Sequence, residues 1–110
     1  MVEQYRMAYV RVNSVSALAP GSVAQAEVGE QTYAICNLDG QFHALGGTCP
    51  HAGGPLGEGT LQGANLVCPW HGFEFDCRSG ENDIDPTMRV DRFAVRVDGD
   101  EVLLDPDSPL

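Results

Sequence analysis

Two short runs, Cys49-Pro50-His51 and Cys68-Pro69-Trp70-His71, constrain this chain more than anything else in it. Each places one thiol and one imidazole in a segment dense in glycine and proline, and sixteen residues separate His51 from Cys68. The stretch from Gly46 to Gly63 holds Gly47, Pro50, Gly53, Gly54, Pro55, Gly57 and Gly59. Such a segment cannot serve as a central strand, because proline lacks the ladder N–H and glycine weakens a strand interior. It reads as a shaped loop excursion, the kind of segment on which chemistry tends to sit. Any fold for this chain must therefore bring two loops together on a scaffold made by the remainder.

That remainder reads as short strands. Tyr9 to Val12 and Val23 to Val28 alternate weakly, and Tyr33-Ala34-Ile35-Cys36 is an apolar run rich in strand formers. Asp39-Gly40 follows, a strong hairpin signal, and Gln41 to Leu45 alternates as a returning strand should. Asn65-Leu66-Val67 leads into the second loop. Phe93 to Val97, Asp98-Gly99-Asp100 and Val102 to Leu104 form a second hairpin. No segment carries the apolar stripe of a helix of normal length, and no repeat or low-complexity tract is present. The expected class is all-β, an antiparallel scaffold with two loops projecting from it.

Four borderline-soft donors of this kind suit zinc or iron–sulfur and exclude calcium or magnesium. Zinc fingers usually group a cysteine pair and then a histidine pair, whereas each loop here mixes the two types. A binuclear cluster gripped from both sides explains the mixing, with both cysteines on one iron and both histidines on the other. A structural zinc module stays open as the alternative.

Cys49-x-His51 followed by Cys68-x-x-His71 resembles the signature of Rieske [2Fe–2S] proteins. The likeness extends to Gly53-Gly54-Pro55-Leu56, to His71-Gly72-Phe73-Glu74-Phe75-Asp76, to Arg78-Ser79-Gly80 and to the strands from Val95 to Val102. Nearly the whole chain is covered, so it resembles a free-standing, low-potential Rieske ferredoxin of the kind that serves bacterial ring-hydroxylating oxygenases. The resemblance implies an antiparallel β-sandwich base with a small two-loop cluster-binding subdomain at one end, about residues 46–76 of a single domain spanning 1–110. It implies one [2Fe–2S] cluster held by Cys49, His51, Cys68 and His71, with both imidazoles exposed toward a redox partner. Pro50, Gly53, Gly54, Pro55, Pro69 and Gly72 read as loop shapers, Leu56 as a shield against water, and Trp70 as packing for the second loop. Rieske proteins of the respiratory and photosynthetic cytochrome complexes carry a cysteine in each loop, joined as a disulfide. Gly54 and Trp70 occupy those places here, and Phe73 stands where that branch has a hydrogen-bonding serine. Fewer hydrogen bonds to the sulfurs predict a potential nearer about −150 mV than +300 mV.

Composition now narrows the partners. Six basic residues stand against sixteen acidic ones, a net charge of −10 that repels phosphate backbones and excludes nucleic acid. The same charge steers the chain toward a partner with a positive docking face. No apolar run approaches the ~20 residues of a membrane span, and the start lacks a secretory layout, so a cytoplasmic monomer is expected. The expected donor is a flavin reductase and the expected acceptor a terminal oxygenase. A small Rieske subunit of an assimilatory nitrite reductase is the alternative. Catalysis by the chain itself is not expected, because only His43 remains outside the loops to build a second iron site. Cys36 and Cys77 read as small buried hydrophobes, and His43 as a surface residue.

Overall fold

A computed structural model describes residues 9–110. The reading of the start as free of a leader rests on residues outside that range, apart from Tyr9. Nine strands are described, β1 (Val10–Ser14), β2 (Val23–Val28), β3 (Gln31–Leu38), β4 (Gln41–Gly46), β5 (Thr60–Gln62), β6 (Asn65–Val67), β7 (Glu74–Asp76), β8 (Arg92–Asp98) and β9 (Glu101–Pro109). A 3-10 turn at Leu56–Glu58 is the only helical element among the described residues. Six strands form one sheet in the order β1-β9-β8-β4-β3-β2, with every pairing antiparallel. Its two edge strands, β1 and β2, approach each other, so the sheet curls toward a barrel. The remaining strands make a second sheet in the order β5-β6-β7.

Alternation along β3 explains how the two sheets share a core. Tyr33 and Ile35 point to one face and pack with Leu18, Ala26, Ala44, Val102 and Leu104 inside the curled sheet. Ala34 and Cys36 point to the other face and pack with Leu45, Leu56, Leu66 and Phe75 beneath the small sheet. Leu56, Leu66 and Phe75 are fully buried, each contributing about 1.5–3 kcal/mol. The first hairpin closes at Asp39-Gly40 as expected. Buried Asn37 clamps it, donating from Nδ2 to the Leu18 carbonyl at 2.7 Å and accepting the Gly40 N–H at Oδ1 at 2.7 Å.

The strand boundaries depart from the sequence expectation in two places. Thr60–Gln62, within the Gly46–Gly63 excursion, is a strand, but it lies at a sheet edge, where flanking glycines are tolerated. The last strand runs to Pro109 rather than ending near Leu104, because Pro106 to Ser108 bulge out between the pairs Ala94–Asp105 and Phe93–Pro109. Asp105 holds that bulge, accepting the Asp107 N–H at 2.9 Å and the Ser108 hydroxyl at 2.7 Å.

Candidate metal centre

Two loops meet above the small sheet. The first leaves β4 at Gly47, whose N–H donates to the Thr32 carbonyl at 2.9 Å, and returns at Leu56, whose N–H donates to Gly47 at 2.9 Å. A bridge between Thr48 and Pro55 closes its neck. Within it the Cys49 N–H donates to Gly54 at 2.9 Å and the Gly53 N–H to Cys49 at 2.8 Å, which leaves Pro50 and His51 at the exposed apex. In the second loop the Cys68 N–H donates to the Phe73 carbonyl at 2.7 Å, placing Pro69 to Gly72 at the apex. His71 and Gly72 take φ of 70° and 73°. The left-handed region suits glycine but costs a histidine about 1 kcal/mol, so the loop holds His71 in a backbone conformation it would not choose alone.

The four expected ligands come together as two pairs with opposite surroundings. Cys49 and Cys68 are buried, 1% and 2% exposed, at the floor of the site. His51 and His71 are exposed, with ring centroids 5.1 Å apart and an interplanar angle of 79°. Burial pushes the Cys68 thiol above its ordinary pKa; the Trp70 N–H on its sulfur opposes this, and the neighbouring Cys49 thiol adds to it. Metal binding at Cys68 would displace the proton that burial favours.

Gly54 explains how the loops can approach. A Cβ there would lie 2.8 Å from Cys68 Sγ and 3.0 Å from Trp70 Cγ, so any side chain would press on the thiol. Trp70 packs over this glycine yet stays half exposed. Pro55 forms the loop neck and Leu56 lies in the same buried core as both thiols. Among the described residues no three Cys, His, Asp or Glu side chains converge on a point that one ion would occupy. A buried thiol pair and an exposed imidazole pair match the donor set of a Rieske [2Fe–2S] group, whose two irons take two cysteines and two histidines.

Cys36 and Cys77 are fully buried, as expected of small hydrophobes. His43 departs from its expected surface position. It is half-buried, and its Nε2 is enclosed without a hydrogen-bond partner, with Arg92 of the neighbouring strand β8 beside it. Burial lowers its pKa, Arg92 and Arg78 lower it further, and Asp76 opposes them.

Three features of the site escape the sequence reading. Phe73, read only as a missing hydroxyl, stacks on the His51 ring at 3.8 Å and 9°, bracing one loop with the other. Buried Asn82 donates to the Glu74 carbonyl at 3.0 Å and accepts the N–H groups of Ile84 at 3.0 Å and Asp85 at 2.8 Å. The loop so fixed presents Ile84, 89% exposed, at the rim of a groove of about 420 Å³ that also touches His71, Phe73 and Met88. The Asx pattern in Glu81-Asn82-Asp83-Ile84-Asp85-Pro86 is the one sequence signal for that loop.

An all-β frame that buries two thiols and exposes two imidazoles at one end defines an iron–sulfur electron-transfer protein. The chain belongs to the Rieske [2Fe–2S] domain family, whose model matches residues 8–98. It is 35% identical over 100 residues to the ferredoxin component of biphenyl 2,3-dioxygenase from Rhodococcus jostii (strain RHA1), covering 90% of this chain and 94% of that one. Among solved structures, it matches a chain of the complex of reduced oxygenase and oxidized ferredoxin in carbazole 1,9a-dioxygenase. The TM-score is 0.83 with 31% identity, covering 93% of this chain and 96% of the other. A small-subunit protein described as an NADPH nitrite reductase shares the fold, with a TM-score of 0.74 at 19% identity, covering 87% of this chain and 96% of the other. Its relatives being ferredoxin components, the chain is an electron carrier with a Rieske-type [2Fe–2S] cluster. No helix among the described residues is long and apolar enough to cross a membrane.

Proposed function

We propose that this chain is a single-domain cytoplasmic carrier that takes one electron at a time from a flavin reductase and delivers it to a terminal ring-hydroxylating oxygenase. Cys49 and Cys68 would hold one iron and His51 and His71 the other, with residues 46–76 as the cluster-binding unit. One observation carries the reading: the imidazole pair is exposed while the thiol pair is buried, so a partner meets the histidine side.

When bound, the cluster supplies a site that accepts and releases a single electron. The chain's residues do the rest. Leu56 and Phe75 keep water from the thiols, and Phe73 holds the His51 ring in place. Ile84 and Trp70 offer apolar contact beside His71, and the exposed carboxylates of Asp83 and Asp85 rim the same groove. That mixture suits a brief encounter steered by a positive partner surface. The relationship to oxygenase ferredoxins supports the oxygenase as acceptor, whereas the nitrite reductase alternative rests on likeness of fold alone.

The deciding experiment combines metal analysis, electron paramagnetic resonance and reconstitution. About two irons per chain and a rhombic signal of low average g in the reduced protein are expected. A potential nearer about −150 mV than +300 mV is expected with them. Electron flow from a flavin reductase to a ring-hydroxylating oxygenase should depend on the added chain and weaken as salt rises. Stoichiometric zinc would overturn the ligand assignment, and isolation in a tight complex with a nitrite reductase would overturn the choice of acceptor.

A further inference from the structure

Cys36 and Cys77 take no part in the site, yet the fold brings them together at the seam between the two sheets. Cys36 lies on the face of β3 that, with Ala34 and Leu45, supports the small sheet. Cys77 follows β7, and its N–H donates to the Ala64 carbonyl at 2.9 Å, which ties it to the β5–β6 turn. Neighbouring contacts fix the same juxtaposition. Cys36 pairs across the ladder with His43, and Ala64, which accepts the Cys77 N–H, lines one pocket with Leu38 and Gln41. Arg78 also shares a pocket with Leu38 and Gln41, the residues that flank the β3–β4 turn. Both thiols are fully buried in one core, and the Cys77 thiol is the first cause of the raised pKa of Cys36, ahead of burial.

We propose that Cys36 and Cys77 are an oxidisable dithiol whose disulfide would staple the small sheet to the six-stranded sheet. While the seam is closed, both sulfurs are shielded from solvent and inert. When the small sheet lifts, one thiol loses its proton and attacks a low-molecular-weight disulfide such as oxidised glutathione. An S–S bond forms to one glutathione sulfur, and the other glutathione leaves as its thiol. As the seam recloses, the second cysteine attacks the mixed disulfide and expels the remaining glutathione. Two protein thiols are oxidised, one glutathione disulfide is reduced to two thiols, and the two protein protons end on those thiols. A cytosolic bond of this kind is a redox sensor rather than a permanent fixture. It records an opening of the sheet that carries the second ligand loop and then prevents the next one.

The test uses the iron-loaded protein, kept without oxygen and incubated with oxidised glutathione. The protein is then unfolded in N-ethylmaleimide with an iron chelator and weighed. Two alkylated thiols are expected instead of four, with a non-reduced peptide map joining Cys36 to Cys77 and the cluster's absorbance retained before unfolding. Loss of that absorbance to a chelator under native conditions should slow about threefold or more, since the staple closes a loop of about 40 residues. Cys36→Val and Cys77→Val should each abolish both changes. Four alkylated thiols, a lone Cys49–Cys68 link, or glutathione left attached to the chain would each overturn the proposal. The wild-type mass measurement stands whether or not the variants fold.

Discussion

The two sheets are made from the same antiparallel ladder but hold together by different means. The strands of the six-stranded sheet run from five to nine residues and enclose a core of their own around Ile35, Val102 and Leu104. β5, β6 and β7 have three residues each, and the core beneath them is lent in part by Ala34, Cys36 and Leu45 of the larger sheet. So short a sheet has little stability by itself. Its order depends on its seat against the base and on whatever its two loops grip. The base, by contrast, keeps a second core of its own inside the curled sheet. The structure thus separates a durable scaffold from a ligand-dependent end.

Removing a thiol is the harshest way to break that contrast. Cys68→Ala is expected to abolish cluster retention and to raise amide exchange at Leu66 and Phe75 by orders of magnitude. Ile35 and Leu104 should keep their protection. Hydrogen-exchange mass spectrometry of the variant beside the loaded protein measures this directly. Equal loss of protection in both sheets would mean that the tip and base unfold as one unit.

Core truncations divide the molecule from the other side. Leu104→Ala and Leu66→Ala each delete a fully buried side chain, and each should cost about 2–5 kcal/mol. The base substitution should lower the denaturation midpoint while leaving the cluster's spectrum unchanged. The tip substitution should also shorten cluster lifetime. A matched effect on lifetime would erase the distinction.

The candidate ligands stand out because thiol and imidazole donors at fixed spacing leave a mark in local sequence, and the hairpin at Asp39-Gly40 was legible because its turn residues leave one too. What lay hidden depends on contacts between distant segments. Phe73 meets His51 only once both loops are closed, and Cys36 meets Cys77 only across two sheets. His43 alternates like a surface residue on β4, and nothing local reveals that Arg92 of β8 will lie beside it. Thr60–Gln62 lies among glycines that signal a loop, and pairing with β6 makes it a strand.

A gentler perturbation sharpens the comparison at the ligand loops. Gly54→Ala would add a methyl group 2.8 Å from Cys68 Sγ, so one loop must shift. A strain of about 1–3 kcal/mol is expected, confined to the tip. It should appear as faster cluster loss to a chelator, with base amide exchange unaltered. An unchanged rate of loss would show that the loops have slack beneath Trp70.

The smallest expected effect belongs to the seam between base and tip and runs through His43. Its folded pKa lies below the ordinary histidine value of about 6.5, because burial and the Arg92 and Arg78 charges outweigh Asp76. At a pH above that value neither state of the protein holds the proton, and the contribution to stability is complete. As pH falls through it, the unfolded chain gains a proton that the folded chain refuses, so stability is lost. The loss ends once pH drops through the lowered folded value. Urea midpoints should therefore fall between pH 7.5 and about pH 5, and fall less in His43→Gln, which cannot titrate. Since Arg78 and Asp76 beside the small sheet act on His43 together with Arg92 of the base, the difference should shrink when the cluster is removed and that sheet loosens. A difference unchanged by cluster removal would mean that the small sheet keeps its seat on β4 without its ligand, and the division between scaffold and ligand-dependent end would have to be redrawn.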